Sequence, residues 1–337
     1  ADIRPQSHEI IRTWAFYTIA KSLLHEQSVP WHNVVISGWV LASAGGKESK
    51  SKNNAETPYT FFDQFGSDAV RYWAANARLG TDTKKDPEVF KVGKRLVTKL
   101  YNAAKFTLGQ PVPENFEYAV SHSLDKALLH DLRGLIQTCD QAFAEFEYSK
   151  ALVETERFFW SRFTDTYLEL SKARARGEDG ISPQDHLSAI STLRIALGVL
   201  LRLFAPFLPY ITEEIWGWTY AQERDVPSVH KAAWPQITEP FLTKGDSTTL
   251  DIAIAAMFSI NKKKTEAGAS VGRVALECGL TCTAQTLETL RPVLDDLKAA
   301  TRCQSLLVEV AVDQVELFEV KTLSLQPKAA VTDAPAE

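Results

Sequence analysis

The spacing of hydrophobic residues over the first 80 positions changes between helical and strand-like periods. Apolar residues recur every three or four positions along His8–Leu24, which predicts a helix. Val34–Gly38 is a short β-branched run that ends in glycine, a pattern typical of a buried parallel strand. A small, polar segment follows at Ala42–Asn54, and Thr57–Pro58 then opens a helix, with another predicted at Asp68–Ala77. Helix, strand, loop and helix in this order indicate the second half of an α/β nucleotide-binding domain.

From residue 86 to residue 245 the hydrophobic period is helical throughout, and strand patterns are absent from the sequence. This part of the chain is predicted to form a helix bundle because several long amphipathic helices follow one another with short polar connections. The predicted helices cover Phe90–Leu108, Leu124–Phe146, Tyr148–Arg176, Pro183–Leu203 and Ile211–Tyr220.

The pattern changes again after residue 245. A helix at Thr249–Lys264 precedes short β-like runs at Arg273–Leu276, Ser305–Val310 and Val315–Val320, with a further helix at Thr286–Thr301. Residues 246–322 are therefore predicted to form a small α+β unit, and the Ala- and Pro-rich residues 323–337 a tail. The predicted fold class is α+β, multidomain and mainly α, with boundaries after residues 85, 245 and 322.

Composition narrows the class of protein. Of 337 residues, 45% are hydrophobic and 23% are charged, which excludes a disordered or fibrous chain. We expect no membrane span, because no apolar run approaches the ~20 residues that a bilayer requires. The four cysteines are scattered, and Cys278 and Cys282 have no second ligand pair, so neither a disulfide framework nor a zinc site is predicted. These features favour a cytoplasmic protein.

Charge is distributed unevenly along the chain. The net charge is -5, yet the segment from Lys84 to Lys105 holds seven basic and two acidic residues, a local charge of +5. A basic helix of this kind is either a solvated surface or a surface that contacts RNA phosphates. The overall charge argues against non-specific coating of nucleic acid but permits a shaped RNA-binding surface.

The residues after the first predicted strand carry the most informative chemistry. Gly46–Asn54 interleaves three lysines with two serines on a glycine-containing loop. Ammonium groups, hydroxyls and backbone N–H groups on a mobile arm suit a triphosphate, although a solvated lysine loop has the same composition. The strand before the loop ends in Gly38, where a nucleotide base could approach the backbone closely.

Lys47–Ser51 resembles the Lys-Met-Ser-Lys-Ser signature of class I aminoacyl-tRNA synthetases, and its surroundings resemble the same family. Ordered matches over more than 200 residues make the resemblance specific, and they fit the valyl members of the family better than the isoleucyl or leucyl ones. The matching segments are Asp2–Trp14, Pro30–Leu41, Phe65–Trp73, Phe158–Leu170, Pro206–Trp216, Ser228–His230 and Ala233–Pro235.

This resemblance implies a valine–tRNA ligase activity, in which valine is activated with ATP, accompanied by Mg²⁺, and then transferred to the 3′ end of valine tRNA. Residues 1–85 would be the C-terminal part of a Rossmann-like catalytic domain, and residues 86–245 a helical anticodon-binding domain. The implied catalytic residues are Lys47, Ser49, Lys50 and Ser51. The implied ATP-binding residues are Gly38, Val40, Lys47, Lys50, Gln6 and Glu9. The implied tRNA-binding residues are Arg95, Lys99, Lys105, Lys172, Arg174 and Arg176. Trp14 matches a position near the amino-acid pocket of the family, although packing alone would also explain it.

The signature loop departs from the family at two positions. Glu48 replaces methionine, and Asn53 replaces a glycine. A carboxylate ~4–6 Å from the two lysines could offset a few kcal/mol of phosphate attraction, or it could point into solvent. If position 53 has a positive φ, asparagine is the least costly replacement for glycine, at about 1 kcal/mol.

The second signature of the family, His-X-Gly-His, does not occur in this sequence, which begins at Ala1. We therefore expect a monomeric, C-terminal portion of a valine–tRNA ligase whose N-terminal catalytic half is the missing partner. The sequence leaves two alternatives: a tRNA-binding module that does not activate valine, or a scaffold that has lost RNA binding.

Overall fold

The computed structural model describes residues 1–42, 46–48, 57–242, 244–311 and 316–327, and this part of the chain is mainly helical with small sheets. The chain divides into two compact units. The first comprises Ala1–Leu108, Leu135–Arg157 and Leu197–Gln236, and the second comprises Gly109–Gly134, Phe158–Ala196 and Ile237–Glu337. The predicted α+β, mainly α fold class is confirmed, whereas the domain ends predicted at residues 85, 245 and 322 stay predictions.

The strands of the first unit form two parallel pairs within the described residues. Strands β1 and β2 pair in register from Ile3 opposite Asn33 to Ser7 opposite Ser37, and β3 and β4 pair from Val40 opposite Thr83. The predicted parallel strand is confirmed as β2, with β1 as its only strand partner in the described structure. Its residues are exposed or half-buried, not buried as predicted. The strands are β1 (Ile3–Ser7), β2 (Asn33–Ser37), β3 (Val40–Leu41) and β4 (Thr83–Lys84).

The helices near these strands are held together by aromatic rings. A helical segment begins at His8 with one 3₁₀ and one π turn and continues as α1, as the periodicity predicted. The rings of Phe61, Phe65 and Trp73 lie 4.9, 5.3 and 5.3 Å from the buried ring of Phe90. The helices are α1 (Phe16–Glu26), α2 (Pro58–Phe65), α3 (Ser67–Ala75) and α4 (Pro87–Leu108).

All the helices predicted between residues 86 and 245 are present. α6 and α7 are joined by a π-helical segment, Phe159–Tyr167, so the chain is helical from Tyr148 to Arg176. The helices that follow α4 are α5 (Ser123–Ala144), α6 (Tyr148–Phe158), α7 (Leu168–Arg176), α8 (Pro183–Phe204), α9 (Pro209–Trp218) and α10 (Tyr220–Glu223).

Helix α8 corrects the expectation that no apolar run reaches membrane-spanning length. Among the described residues it is the one helix long and apolar enough to cross a bilayer, with a mean hydropathy of 1.7 over its most apolar window. That window is 94% buried inside the protein. Its hydrophobic character therefore belongs to a core helix.

Polar contacts join α3 to α9 within the first unit. The buried carboxylate of Asp68 accepts the backbone N–H groups of Tyr210 and Ile211, at 3.1 and 2.8 Å, in the first turn of α9. Arg71 donates to the carbonyl of Pro206 at 2.9 Å. A carboxylate at this position satisfies N–H groups that a helix start leaves unpaired. The contacts thus connect helices that the sequence had assigned to different domains.

The second unit contains a three-stranded sheet in the order β6-β5-β7, with β5 parallel to β6 and antiparallel to β7. Several predicted elements differ from the structure. β5 continues to Cys282, well beyond the predicted end at Leu276, and β7 continues to Leu325, into the segment predicted as a tail. The predicted start of the last strand, Val315, lies outside the described residues. A 3₁₀ turn at Arg291–Val293 divides the helix predicted at Thr286–Thr301. Pro292 lies in that turn and lacks the N–H that an α-helix requires. The elements are α11 (Thr248–Glu266), β5 (Ala275–Cys282), α12 (Ala284–Leu290), α13 (Leu294–Ala300), β6 (Cys303–Val310) and β7 (Glu319–Leu325).

Candidate functional site

The carboxyl ends of β1 and β2 form the edge at which α/β sheets bind ligands. Gln6, one residue before the end of β1, is only 7% exposed. Neither its Oε1 nor its Nε2 has a hydrogen-bond partner in the described part of the chain. A buried amide without partners is costly and usually reflects a bound group or a functional role. The role of Gln6 in ATP binding stays a prediction, and its unpartnered amide is available for a polar ligand group.

Gly38 is required by the fold of the chain itself. A Cβ atom at this position would lie 2.1 Å from the carbonyl oxygen of Thr81, and the adjacent N–H of Trp39 donates to Asp82 Oδ1 at 2.8 Å. The sequence suggested that a nucleotide base could approach the backbone closely at Gly38. In the structure, the backbone of residues 81 and 82 occupies the space where a Cβ atom would lie. Val40 follows in β3 and is 38% exposed, so its side chain remains accessible.

Lys47 is placed beside the sheet by backbone pairing. It bridges Leu41 in antiparallel fashion, and its Nζ donates to both carboxylate oxygens of Glu9 at 2.5 Å. The ammonium also lies 5.6 Å from the centroid of the Trp39 ring. The hydrogen bond and charge of Lys47 lower the pKa of Glu9. The two side chains are 40% and 37% exposed, so solvent and solutes reach this pair.

The sequence left open whether the Glu48 carboxylate opposes the signature lysines or points into solvent, and the structure shows a third arrangement. Its Oε1 forms an ion pair with Lys85 Nζ at 2.8 Å, and the two side chains are only 15% and 10% exposed. The Lys85 ammonium also lies 5.4 Å from the centroid of Phe61. The carboxylate that replaces the signature methionine is therefore bound to a lysine that the sequence analysis had counted with the basic segment.

The remaining signature residues, Ser49, Lys50, Ser51 and Asn53, lie outside the described residues, and their roles stay predictions. Trp14 stacks on Trp31 with ring centroids 5.9 Å apart and with the Arg4 guanidinium 3.6 Å from its ring centroid. It is 41% exposed, which fits a surface packing role.

The first set of predicted tRNA contacts lies on α4. Arg95 and Lys105 are exposed, and Lys99 is half-buried. The opposite side of the helix carries Leu96 and Leu100, both fully buried. α4 therefore presents cations on one side and contributes apolar side chains to the core on the other, and the roles of its cations as tRNA contacts stay predictions.

The second set, on α7, requires a correction at Arg174. Its side chain is 4% exposed and is enclosed by two carboxylates. Arg174 donates to both oxygens of Asp125, at 2.9 and 2.8 Å, and its Nε donates to Asp296 at 2.8 Å. A guanidinium held in this way is not available to a tRNA phosphate, so Arg174 has a structural role in this unit. Sequence periodicity could not reveal this, because the two carboxylates lie far away in the chain.

The environment of Asp125 is unusually rich in donors. Besides Arg174, it accepts hydrogen bonds from the hydroxyls of Tyr167 and Ser188, at 2.8 and 2.6 Å. Burial opposes ionisation of Asp125, but the charge and hydrogen bonds of Arg174 outweigh it and lower the pKa. Burial dominates at Asp296 and raises its pKa despite the same guanidinium.

The other two cations of α7 are on the surface. Lys172 pairs with Glu169 at 2.7 Å, with side chains 30% and 44% exposed. Arg176 contacts Glu178 at 3.4 Å, and its side chain is 52% exposed. Both remain accessible to a polyanion, and their roles as tRNA contacts stay predictions.

Two family models match separate, ordered parts of this chain. Residues 1–86 match the tRNA synthetases of class I for I, L, M and V, and residues 125–273 match the anticodon-binding domain of tRNA ligases. Over these two segments the chain is similar to class I tRNA synthetases.

Similar synthetases cover most of this chain. It is 44% identical over 274 residues to a valine–tRNA ligase of Ehrlichia canis, which covers 80% of this chain and 34% of the relative. It is 41% identical over 320 residues to a valine–tRNA ligase of Thermobifida fusca, with 94% of this chain and 35% of the relative covered. The chain thus spans about a third of the length of the curated relatives it matches.

A solved synthetase structure supports the fold. The LeuRS of a LeuRS–tRNA–LeuAMS ternary complex from Agrobacterium radiobacter aligns with a TM-score of 0.52 and 16% identity, covering 92% of this chain and 38% of that chain. At this identity the likeness concerns the fold alone. It agrees with the multidomain α+β arrangement predicted from the sequence.

Proposed function

We propose that this synthetase chain supplies the phosphate-binding signature loop and the tRNA-binding body of a valine–tRNA ligase. The main observation in support of this proposal is the order of the two family matches. A class I segment lies at residues 1–86, and an anticodon-binding segment follows at residues 125–273. The similarity to valine–tRNA ligases supports valine as the amino acid. The placement of Lys47 beside the ligand-binding edge of the first sheet supports a role in phosphate binding.

The residues at this edge fit part of an ATP molecule. Lys47 offers an ammonium to a phosphate oxygen, and the unpartnered amide of Gln6 offers both a donor and an acceptor to a polar ligand group. The described residues contain no cluster of three or more acidic, His or Cys side chains able to hold a metal ion. Mg²⁺ that accompanies ATP usually keeps several waters, so we expect it to be held mainly by the ATP phosphates and water.

One observation favours a second candidate function. Lys47 is engaged by Glu9 and the adjacent Glu48 by Lys85, so both residues of the signature that the structure describes are held by the protein. A chain with this arrangement could bind tRNA through its bundle without activating valine. The two candidates share tRNA binding and differ in ATP use.

The first test is the affinity of this chain for valine tRNA and for a non-cognate tRNA at several salt concentrations. Tighter binding of valine tRNA, with log K falling linearly with log salt, is the expected result. Equal affinity for both tRNAs, or no binding, would contradict the proposed tRNA-binding body. Titration with radiolabelled ATP then separates the two candidates, because only a signature loop that can contact the triphosphate binds ATP in a Lys47-dependent manner. A cytoplasmic location and a monomeric state stay predictions from the sequence.

A further inference from the structure

Two aromatic side chains of the first unit meet at the surface. Tyr101 of α4 and Trp218 at the end of α9 have ring centroids 5.4 Å apart and an interplanar angle of 84°. They are 41% and 38% exposed, whereas the neighbouring Trp216 is fully buried. A single exposed aromatic residue needs no explanation, but two rings from different helices that together remain in water suggest a contact surface.

The Trp218 ring is oriented by a hydrogen bond. Its Nε1 donates to Glu214 Oε1 at 3.0 Å, one turn earlier in α9. The backbone beside it is open, because a Cβ atom placed on Gly217 would meet no described heavy atom within 4 Å. An indole held in one orientation beside open space presents a π-face at little entropic cost to a ligand.

Cations and polar groups continue the surface along α4. Lys94, Thr98, Tyr101 and Lys105 are spaced by four, three and four residues, so they lie on one side of the helix. Lys105 is exposed one turn beyond Tyr101. Aromatic rings interleaved with cations are the combination that binds single-stranded nucleic acid, since bases stack on the rings while the cations follow the phosphates. A face that bound an apolar protein partner would instead have few charges at its centre.

We propose that Tyr101 and Trp218 form a stacking platform for an unpaired base of an RNA bound along α4. Because the two rings are nearly perpendicular, the base stacks on one ring while the other ring, in edge contact with it, holds that ring in place. The base must be unpaired because a base within a helix has its faces covered by its neighbours and cannot reach a side chain. The platform deepens the proposed function and rests on it, because it assigns one contact of the tRNA-binding body. It adds a base contact to a helix whose cations, Arg95, Lys99 and Lys105, were predicted to contact phosphates.

The test measures the Kd of the whole chain for valine tRNA, for the wild type and for Tyr101→Ala and Trp218→Ala, at four salt concentrations. Each change is expected to weaken binding about five- to 150-fold, the range for loss of one stacked base. The salt dependence should stay unchanged, because a stacked base releases no counterion. Lys105→Ala should instead reduce the slope of log K against log salt by about one.

Matched variants separate stacking from folding. Tyr101→Phe and Trp218→Phe keep an aromatic face and should retain wild-type affinity within about threefold, because stacking depends on the ring. Tyr210→Ala removes an exposed tyrosine at the other end of α9, where no ring contact is formed among the described residues, and should leave Kd unchanged. Circular dichroism and thermal unfolding verify that each variant is folded.

Tryptophan fluorescence provides a second measurement, for which no alanine variant is required. Binding of valine tRNA should quench the tryptophan fluorescence of the wild type more than that of Trp218→Phe. Equal quenching, an unchanged Kd for both alanine variants, or an equal loss in Tyr210→Ala would overturn the platform while leaving tRNA binding intact. Absence of RNA binding by the wild type would instead overturn the proposed tRNA-binding body and the platform with it.

Discussion

Lys47 of the first unit and Arg174 of the second are both cations that the resemblance assigned to phosphate or RNA. Their exposure to solvent and their carboxylate environments differ. Within the described residues, Lys47 pairs with the carboxylate of Glu9, and both side chains are more than one-third exposed. Arg174 is enclosed by two carboxylates, Asp125 and Asp296, and these three side chains are at most 4% exposed. An exposed pair exchanges its partner at little cost, whereas a buried pair does not, because separation leaves a charge without solvent.

This contrast distinguishes a cation that can serve a ligand from one that serves the fold. A phosphate can replace Glu9 on Lys47, since both are anions and water already reaches the site. No ligand can replace Asp125 on Arg174 without opening the core of its unit. The exposure of the cation and of its carboxylate partners, rather than residue type, therefore decides which predicted cation remains a candidate ligand contact.

The largest effect is expected from Arg174→Ala. Removing the guanidinium leaves Asp125 and Asp296 buried without their cation, which should lower the free energy of unfolding by about 3–5 kcal/mol. Denaturant titration followed by circular dichroism measures the change. Arg176→Ala, two residues along the same helix and half exposed, is the control and should change stability by less than about 0.5 kcal/mol. Similar effects of the two variants would show that the network contributes little.

The second largest effect is expected in the pH dependence of the free energy of unfolding. Because the pKa of Asp125 is lowered in the folded protein, its ionised form stabilises the fold above its unfolded pKa of about 3.9. That contribution should be lost as pH falls through the lower, folded pKa. We therefore expect Asp125→Asn to be less stable than the wild type at pH 7, with a difference in unfolding free energy that shrinks below about pH 4. A difference that grows on acidification would contradict this assignment; urea titrations from pH 7 to pH 3 measure it.

A smaller effect is expected at the exposed pair. Glu9→Gln removes the anion that competes for Lys47 and should strengthen binding of inorganic tripolyphosphate roughly two- to fivefold, in line with the weak coupling of exposed pairs. Isothermal titration calorimetry measures the affinity. Glu88→Gln removes the carboxylate of another exposed pair, with Lys91 on α4, and should have no effect. Weaker binding by Glu9→Gln would indicate that Glu9 orients Lys47 for the ligand.

The smallest effect is expected from Lys172→Ala. Its pair with Glu169 is partly exposed, so the free energy of unfolding should change by at most about 0.5 kcal/mol. If Lys172 contacts a tRNA phosphate, the same variant should reduce the salt slope of tRNA binding by about one. A loss of stability comparable to that of Arg174→Ala would mean that exposure does not separate the two cations of α7.

The sequence predicted the helices well because their signal is local. Tyr148–Arg176 was predicted as one helical stretch and is helical throughout. Its aromatic residues Phe159, Phe163 and Tyr167, spaced by four residues, are all buried. The strands were less accurate, since β5 and β7 continue beyond their predicted ends and β2 is less buried than its composition suggested. Strand burial depends on which elements cover the sheet, and this is not encoded in a five-residue run.

The candidate site was predicted by resemblance at Lys47, Gln6, Glu9, Gly38 and Val40, but their contacts were not. No local pattern links Glu48 to Lys85, 37 positions later, or Arg174 to Asp125 and Asp296. Counting charges along the basic segment did not distinguish Lys85 from Lys105. In the structure, Lys85 forms an ion pair with Glu48, whereas Lys105 is exposed. Charge counts along a chain cannot separate these cases, because pairing depends on distance in space.

The sequence by itself determined the helical periods, the order of the synthetase and anticodon-binding segments, and the residue types of the signature. These follow from local spacing and from motifs, both of which are properties of neighbouring residues. The tertiary structure alone decided that Glu48 binds Lys85, that Glu9 holds Lys47, that Arg174 is buried and that Tyr101 meets Trp218. Each of these contacts joins residues distant in the chain, and whether a charge or ring serves the core or the surface depends on the solvent that packing leaves around it.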